Sequence, residues 1–212
     1  MDFRDIMVNL GLRVGDQRNT DGSLCNLRAG KTGEGVFTQA HARLYEAASR
    51  RKIFYNHAPA VAMSAPATAA IGNIIWNPPD SGVLLAIGKI SAAYLVTDAD
   101  ALTINLCYSA QATLPTTTSG STQGCGYIGA VGTSQGIAKG YGIATITTAA
   151  TPICHLFRLT AGIQTVGVET SWVDLEGSVI IPPGFLLSLH SIAAAGAAGV
   201  TSTVWWEEVP IL

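Results

Sequence analysis

The sequence predicts an antiparallel β-sandwich, and three observations predict it. From Ile53 onward, apolar and polar residues alternate with period two in short runs. Turn signals such as Asn77-Pro78-Pro79-Asp80-Ser81-Gly82 and Glu176-Gly177 separate those runs. Beyond residue 57 no helix-period segment is long enough to supply the crossovers of a parallel sheet.

Composition narrows the class. The 212 residues are 48% hydrophobic but only 12% charged, about half the usual charged fraction. So little charge implies that other subunits cover much of the surface. Net charge is −2, unevenly spread: residues 1–57 hold nine Lys/Arg and six Asp/Glu, and residues 58–212 hold three and eight. Cys25, Cys107, Cys125 and Cys154 are widely spaced, with no C-x-x-C pair, and read as reduced thiols of a protein made in the cytosol. No apolar run approaches the roughly 18 residues of a membrane helix, and the N-terminal stretch lacks a signal-type apolar core.

Taken in order, residues 1–36 are polar, Gly-rich and aperiodic, an extended arm that orders against a neighbour. Fully extended, such an arm reaches roughly 100 Å. Phe37 to Lys52 is the one helix expected. Thr38 caps it, Phe37, His41 (or Ala40), Leu44 and Ala48 form its stripe, and Arg50, Arg51 and Lys52 complement its C-terminal dipole. Strands are expected near 53–56, 60–64, 71–76, 83–89, 90–96, 102–109, 141–148, 153–159, 164–168, 171–175, 178–181, 185–192 and 202–208, a spacing that suits a sandwich or jelly roll. Residues 112–140, mostly Gly, Ser, Thr and Ala, read as a long surface excursion. Near the end, Pro183-Gly184 fits a type II turn between Val179-Ile180-Ile181 and an alternating strand from Phe185. Adjacent Trp205 and Trp206 must point to opposite faces of a strand: one is core, and the other sits on the outer face as interface, shielding or ligand platform. The expected division is an arm and amphipathic helix over 1–57, then a jelly-roll-like antiparallel β-sandwich over 58–212.

Chemistry-bearing motifs are thin. Gly124-Cys125-Gly126-Tyr127-Ile128-Gly129 matches G-x-G-x-x-G, but Ser, Thr and Gly precede it and more glycine follows, so a loop is the expected reading. Gly132-Thr133-Ser134-Gln135-Gly136 matches G-x-S-x-G, with Asp174 and His190 following in hydrolase order, yet that elbow requires a strand–Ser–helix turn in a parallel sheet. Asp98 and Asp100 supply too few oxygens for a calcium loop. His41, His57, His155 and His190 lack neighbours at metal-ligand spacing. Arg43, Arg50, Arg51 and Lys52 make a weak footprint for nucleic acid; dipole capping and docking onto an acidic protein surface are the two readings kept. No catalytic residue, cofactor, metal or small-molecule substrate is expected, and neither nucleic acid nor membrane as partner.

A strand ending in Ile181-Pro182-Pro183-Gly184, an alternating strand, a small-residue loop and the closing Val204-Trp205-Trp206-Glu207-Glu208-Val209-Pro210 resemble the C-terminal hairpin of jelly-roll virion proteins of tailed bacteriophages. The segment from Gly35 to Arg50, followed by a short β run, is similar to the N-terminal part of such proteins. The resemblance implies a capsid decoration (cement) protein, a homotrimer on the major capsid protein, made in the host cytoplasm and carried on the capsid surface. Related jelly rolls in tails and fibres leave a glycan-binding receptor module as the alternative. Phe37, Arg43, Arg50, Arg51, Lys52 and Trp205 are the candidate contacts with partner subunits.

Overall fold

The computed structural model describes residues 44–61, 63–94, 102–119, 121–128, 136–159, 170–191 and 199–211. The chain divides at Arg43/Leu44, and the unit Leu44–Leu212 carries the fold. The expected arm, Phe37, Arg43 and the strand at 164–168 lie outside the described residues.

A short helix α1 spans Tyr45–Ser49, so it stops before the basic residues expected to close it. Its end explains why. Arg51 sits at φ 56°, its N–H donates to the Ala48 carbonyl at 2.9 Å, and the Lys52 N–H donates to Ala47 at 2.8 Å. This is a Schellman cap with arginine where glycine is usual. Arg50 to Lys52 therefore form the cap and the link into the first strand.

The strands are β1 Ile53–Val61, β2 Ala69–Asn77, β3 Val83–Tyr94, β4 Leu102–Ala110, β5 Thr116–Ser119, β6 Thr122–Cys125, β7 Lys139–Thr145, β8 Thr151–Leu159, β9 Thr170–Ile181, β10 Phe185–Ser191 and β11 Val200–Pro210. Among the described residues they build two antiparallel sheets, one of five strands ordered β6-β1-β11-β3-β9 and one of six ordered β5-β7-β2-β10-β4-β8. The all-β sandwich expected from the alternation is the fold observed. Setting aside β5, β6 and β7 leaves four strands per sheet, β1-β11-β3-β9 against β2-β10-β4-β8.

Phe54, Leu85, Ile87, Ile90 and Trp206 of the five-stranded sheet meet Ile104, Leu106, Leu187 and Leu189 of the other in the main core. The six-stranded sheet is apolar on its other face too: Ala70, Ile74, Trp76, Cys107 and Leu186 form a second cluster there. Leu186, Ser188 and His190, which alternate with the core residues Leu187 and Leu189 along β10, are accordingly all buried as well.

The charge change expected at 57/58 falls within β1, which hydrogen-bonds to β6 and β11 on either side. Two expectations are corrected. First, Glu176-Gly177 is no turn between two strands. β9 runs through it with Glu176 at φ 51° and Gly177 at φ 80°, and the β3 register jumps between Ile87 and Lys89, the mark of a bulge. Second, the stretch 112–140 is no simple surface excursion. It holds β5 and β6, and β7 begins within it; β6 adds to β1 and β7 to β2, so the insertion leaves β4 and covers the opposite margins of both sheets.

Particular side chains tie that insertion down. Gln111 Oε1 accepts from the Thr147 N–H at 2.8 Å and hydroxyl at 3.0 Å. Glu208, buried near the end of β11, accepts from the Ile137 and Ala138 N–H groups at 2.8 and 3.0 Å. Its glycines are close-approach residues: a Cβ on Gly124 would meet the Tyr55 hydroxyl at 2.5 Å, and one on Gly140 would overlap the Asn56 amide. The Pro183-Gly184 turn, by contrast, is as expected, with Gly184 at φ 79°.

Candidate interaction surface

Side chains alternate across β11. Val200, Ser202, Val204, Trp206 and Glu208 are buried, while Thr201, Thr203, Trp205 and Glu207 are half-buried on the outer face of the five-stranded sheet. The tandem tryptophans divide as the strand period requires. Trp206 packs in the core with its ring centroid 6.1 Å from Phe54. Trp205 lies outside against Tyr55, centroids 5.0 Å apart and planes tilted by 43°, within the range in which aromatic pairs attract.

Strand register assembles a surface around that pair. One row crosses all five strands: Thr122, His57, Thr203, Ser91 and Trp172 are successive pairing partners. His57 Nδ1 is 3.0 Å from the Thr203 hydroxyl. Beside it runs a second row, Gly124, Tyr55 and Trp205, which reaches Lys89 and Asp174 across the β3 irregularity. Trp172 is 67% exposed, yet its ring is held: Lys89 Nζ lies 5.5 Å from the ring centroid and 3.6 Å from Asp174 Oδ2. Asp174 Oδ1 in turn accepts the Glu176 N–H at 3.0 Å, closing the bulge. The cation thus bridges a carboxylate and the face of an indole, which favours one placement of that indole.

The basic tract lies at the entry to β1. Arg50, Arg51 and Lys52 are exposed, and the Arg51 guanidinium sits 5.8 Å from the Tyr127 ring centroid. The Lys52 carbonyl accepts the Glu208 N–H at 2.9 Å, which fixes the tract to β11. Of the residues expected to contact partners, Arg50, Arg51, Lys52 and Trp205 are described, and Phe37 and Arg43 are not.

The motif-bearing residues take other roles. Gly126 donates its N–H to the Ile53 carbonyl at 2.8 Å, so that N–H is taken up by the sheet margin instead of facing a phosphate. Ser134, Asp98 and Asp100 lie outside the described residues. Asp174 is on the five-stranded sheet, paired with Lys89, whereas His190 is sealed in the six-stranded one. There its Nε2 is 2.9 Å from the Ser188 hydroxyl and its Nδ1 3.2 Å from the Ser64 carbonyl. A Nδ1–H donated to that carbonyl leaves Nε2 to accept from Ser188. Burial holds the imidazole below its ordinary pKa, against the raising effect of backbone groups at Ser64 and Ala65. Burial pushes the Cys107 thiol up to about 11, helped by the charge of Cys154, so Cys107 is no thiolate nucleophile near neutral pH. His155 Nδ1 makes a short contact with Asn105 Oδ1. Among the described residues, no three His, Cys, Asp or Glu side chains group as metal ligands do.

Sequence reasoning reached Trp205 but did not join it to Tyr55, His57, Lys89, Ser91 and Trp172. Only strand register joins these, and no local spacing encodes it. In comparisons with known proteins, no family model, no curated protein and no solved structure matches the chain.

Proposed function

We propose that this chain is a non-enzymatic structural protein of a phage virion: a capsid decoration (cement) subunit that binds the head shell as a homotrimer and stabilises it. The observation that carries this reading is the strand order. Four strands against four, with the chain changing sheet at every connection except that from β4 to β8, is how we read a jelly roll, an architecture shared by viral capsid and lectin domains. Fold alone assigns no function. Composition and surface incline the choice: the chain is only 12% charged, and Ile180 and Val209, at the end of the five-stranded sheet away from Trp172, are exposed, as a subunit that meets neighbours would carry them. The basic tract at Arg50, Arg51 and Lys52, with Phe37 and Arg43 before it, supplies the contacts to the shell in this reading.

Sedimentation of the purified protein tests it. The expected result is a stable trimer that co-sediments with capsids assembled from the major capsid protein. A monomer that stays in the supernatant would refute the proposal.

A further inference from the structure

We propose that the outer face of the five-stranded sheet is a binding site for an extended oligosaccharide with equatorial glycosidic linkages. This goes beyond the structural role and does not depend on it. The chemistry of the face points to such a ligand. A sugar ring in an equatorially linked chain shows flat C–H faces above and below and hydroxyls around its rim. It is bound by aromatic planes with short hydroxyl and imidazole groups between them. The structure holds those elements in two adjoining rows: Tyr55 and Trp205 on β1 and β11 in one, and His57, Thr203 and Ser91 leading in line to Trp172 on the edge strand β9 in the other.

Spacing and order support the same occupant. Trp172 lies two strands from Thr203, and Trp205 lies two residues along β11 from Thr203, which places the two tryptophans about 12 Å apart. A short oligosaccharide bridges that distance while its middle ring lies over β3, at Ser91 and Lys89. Trp172 is kept in place by Lys89, so less side-chain freedom is lost when a ring stacks on it. Asp174 also holds Lys89, and the carboxylate of Glu207 lies on the same face. That favours a neutral polyol over an anionic partner.

The test is calorimetric titration of the full chain with cellohexaose and chitohexaose, whose linkages are equatorial, and with maltohexaose, whose axial linkages coil the chain. Saturable binding of at least one of the first two is expected, with maltohexaose much weaker. Trp172→Ala should weaken binding by about tenfold or more, and Trp172→Phe by less, since part of the stacking surface remains. Because Trp172 is exposed, both variants should melt like the parent; Ser91→Ala should weaken binding with no change in fold. The proposal is overturned if neither equatorial hexaose binds, if maltohexaose binds equally well, or if Trp172→Ala binds as tightly as the parent. It is also overturned if Trp172→Ala alters the mass of the protein in solution, which would make this face a contact between copies. The sugar-binding outcomes leave attachment to capsids untouched, whereas a change of mass speaks to contacts between copies.

Discussion

A β-carbon on Gly140 would overlap the carboxamide of Asn56. That amide is part of a buried link between the two sheets. Asn56 Nδ2 donates to Asn73 Oδ1 at 2.8 Å, and Asn73 Nδ2 donates to the Asn56 and Ser202 carbonyls at 2.9 and 3.1 Å. Gly140→Ala should therefore destabilise the protein by about 2–4 kcal/mol, through overpacking and displaced hydrogen bonds. Gly124→Ala presses on the far end of the half-buried Tyr55 side chain, not on a buried hydrogen-bonded amide, and should cost less. Urea midpoints of the two variants check the order.

The carboxylate of Glu208 satisfies two backbone donors of the insertion. Glu208→Ala leaves the Ile137 and Ala138 N–H groups without that acceptor and should cost about 2–4 kcal/mol. Glu208→Gln keeps one acceptor oxygen and should cost less. Hydrogen exchange provides the specific reading: the amides of Ile137 and Ala138 should lose protection in the alanine variant, ahead of the strands.

Stability should fall as the solution is made acidic, and His190 should be one cause. Its folded pKa is depressed below the ordinary 6.5 by burial, so the unfolded chain takes up the proton first. The contribution is complete above the unfolded value and is lost as pH falls below 6.5 toward the folded one. Urea midpoints measured between about pH 8 and pH 5 should decline, and His190→Gln should flatten that decline. An unchanged slope in the variant would remove His190 as a cause.

Removal of residues 1–36 should leave the sandwich folded and abolish attachment to the shell. The melting temperature of the shortened chain and its occupancy on capsids are the two measurements. Unaltered occupancy would place the attachment elsewhere.

Much of the architecture was legible because burial on one face of a strand writes itself into alternate residues. Val204, Trp206 and Glu208 against Thr203, Trp205 and Glu207 are the clearest case. Glu176-Gly177 misled because positive φ serves a bulge as well as a turn. The stretch 112–140 misled because small residues signal looseness and tight contact alike; Gly124 and Gly140 are small because Tyr55 and Asn56 lie against them. The surface around Trp172 stayed hidden for a topological reason. Its members come from β1, β3, β9 and β11, and only the pairing of β11 between β1 and β3 makes them neighbours.

That placement of β11 also governs how the molecule is born. β1 and β3 are synthesised early, yet neither gains its partner on that side until β11 has been made. A ribosome-bound chain thus presents the apolar margins of both strands until β11 emerges, and closure of the sheet is slow because the joining segments are so distant in sequence. Occupancy by chaperones during synthesis is the foreseeable cost of a design whose keystone arrives late.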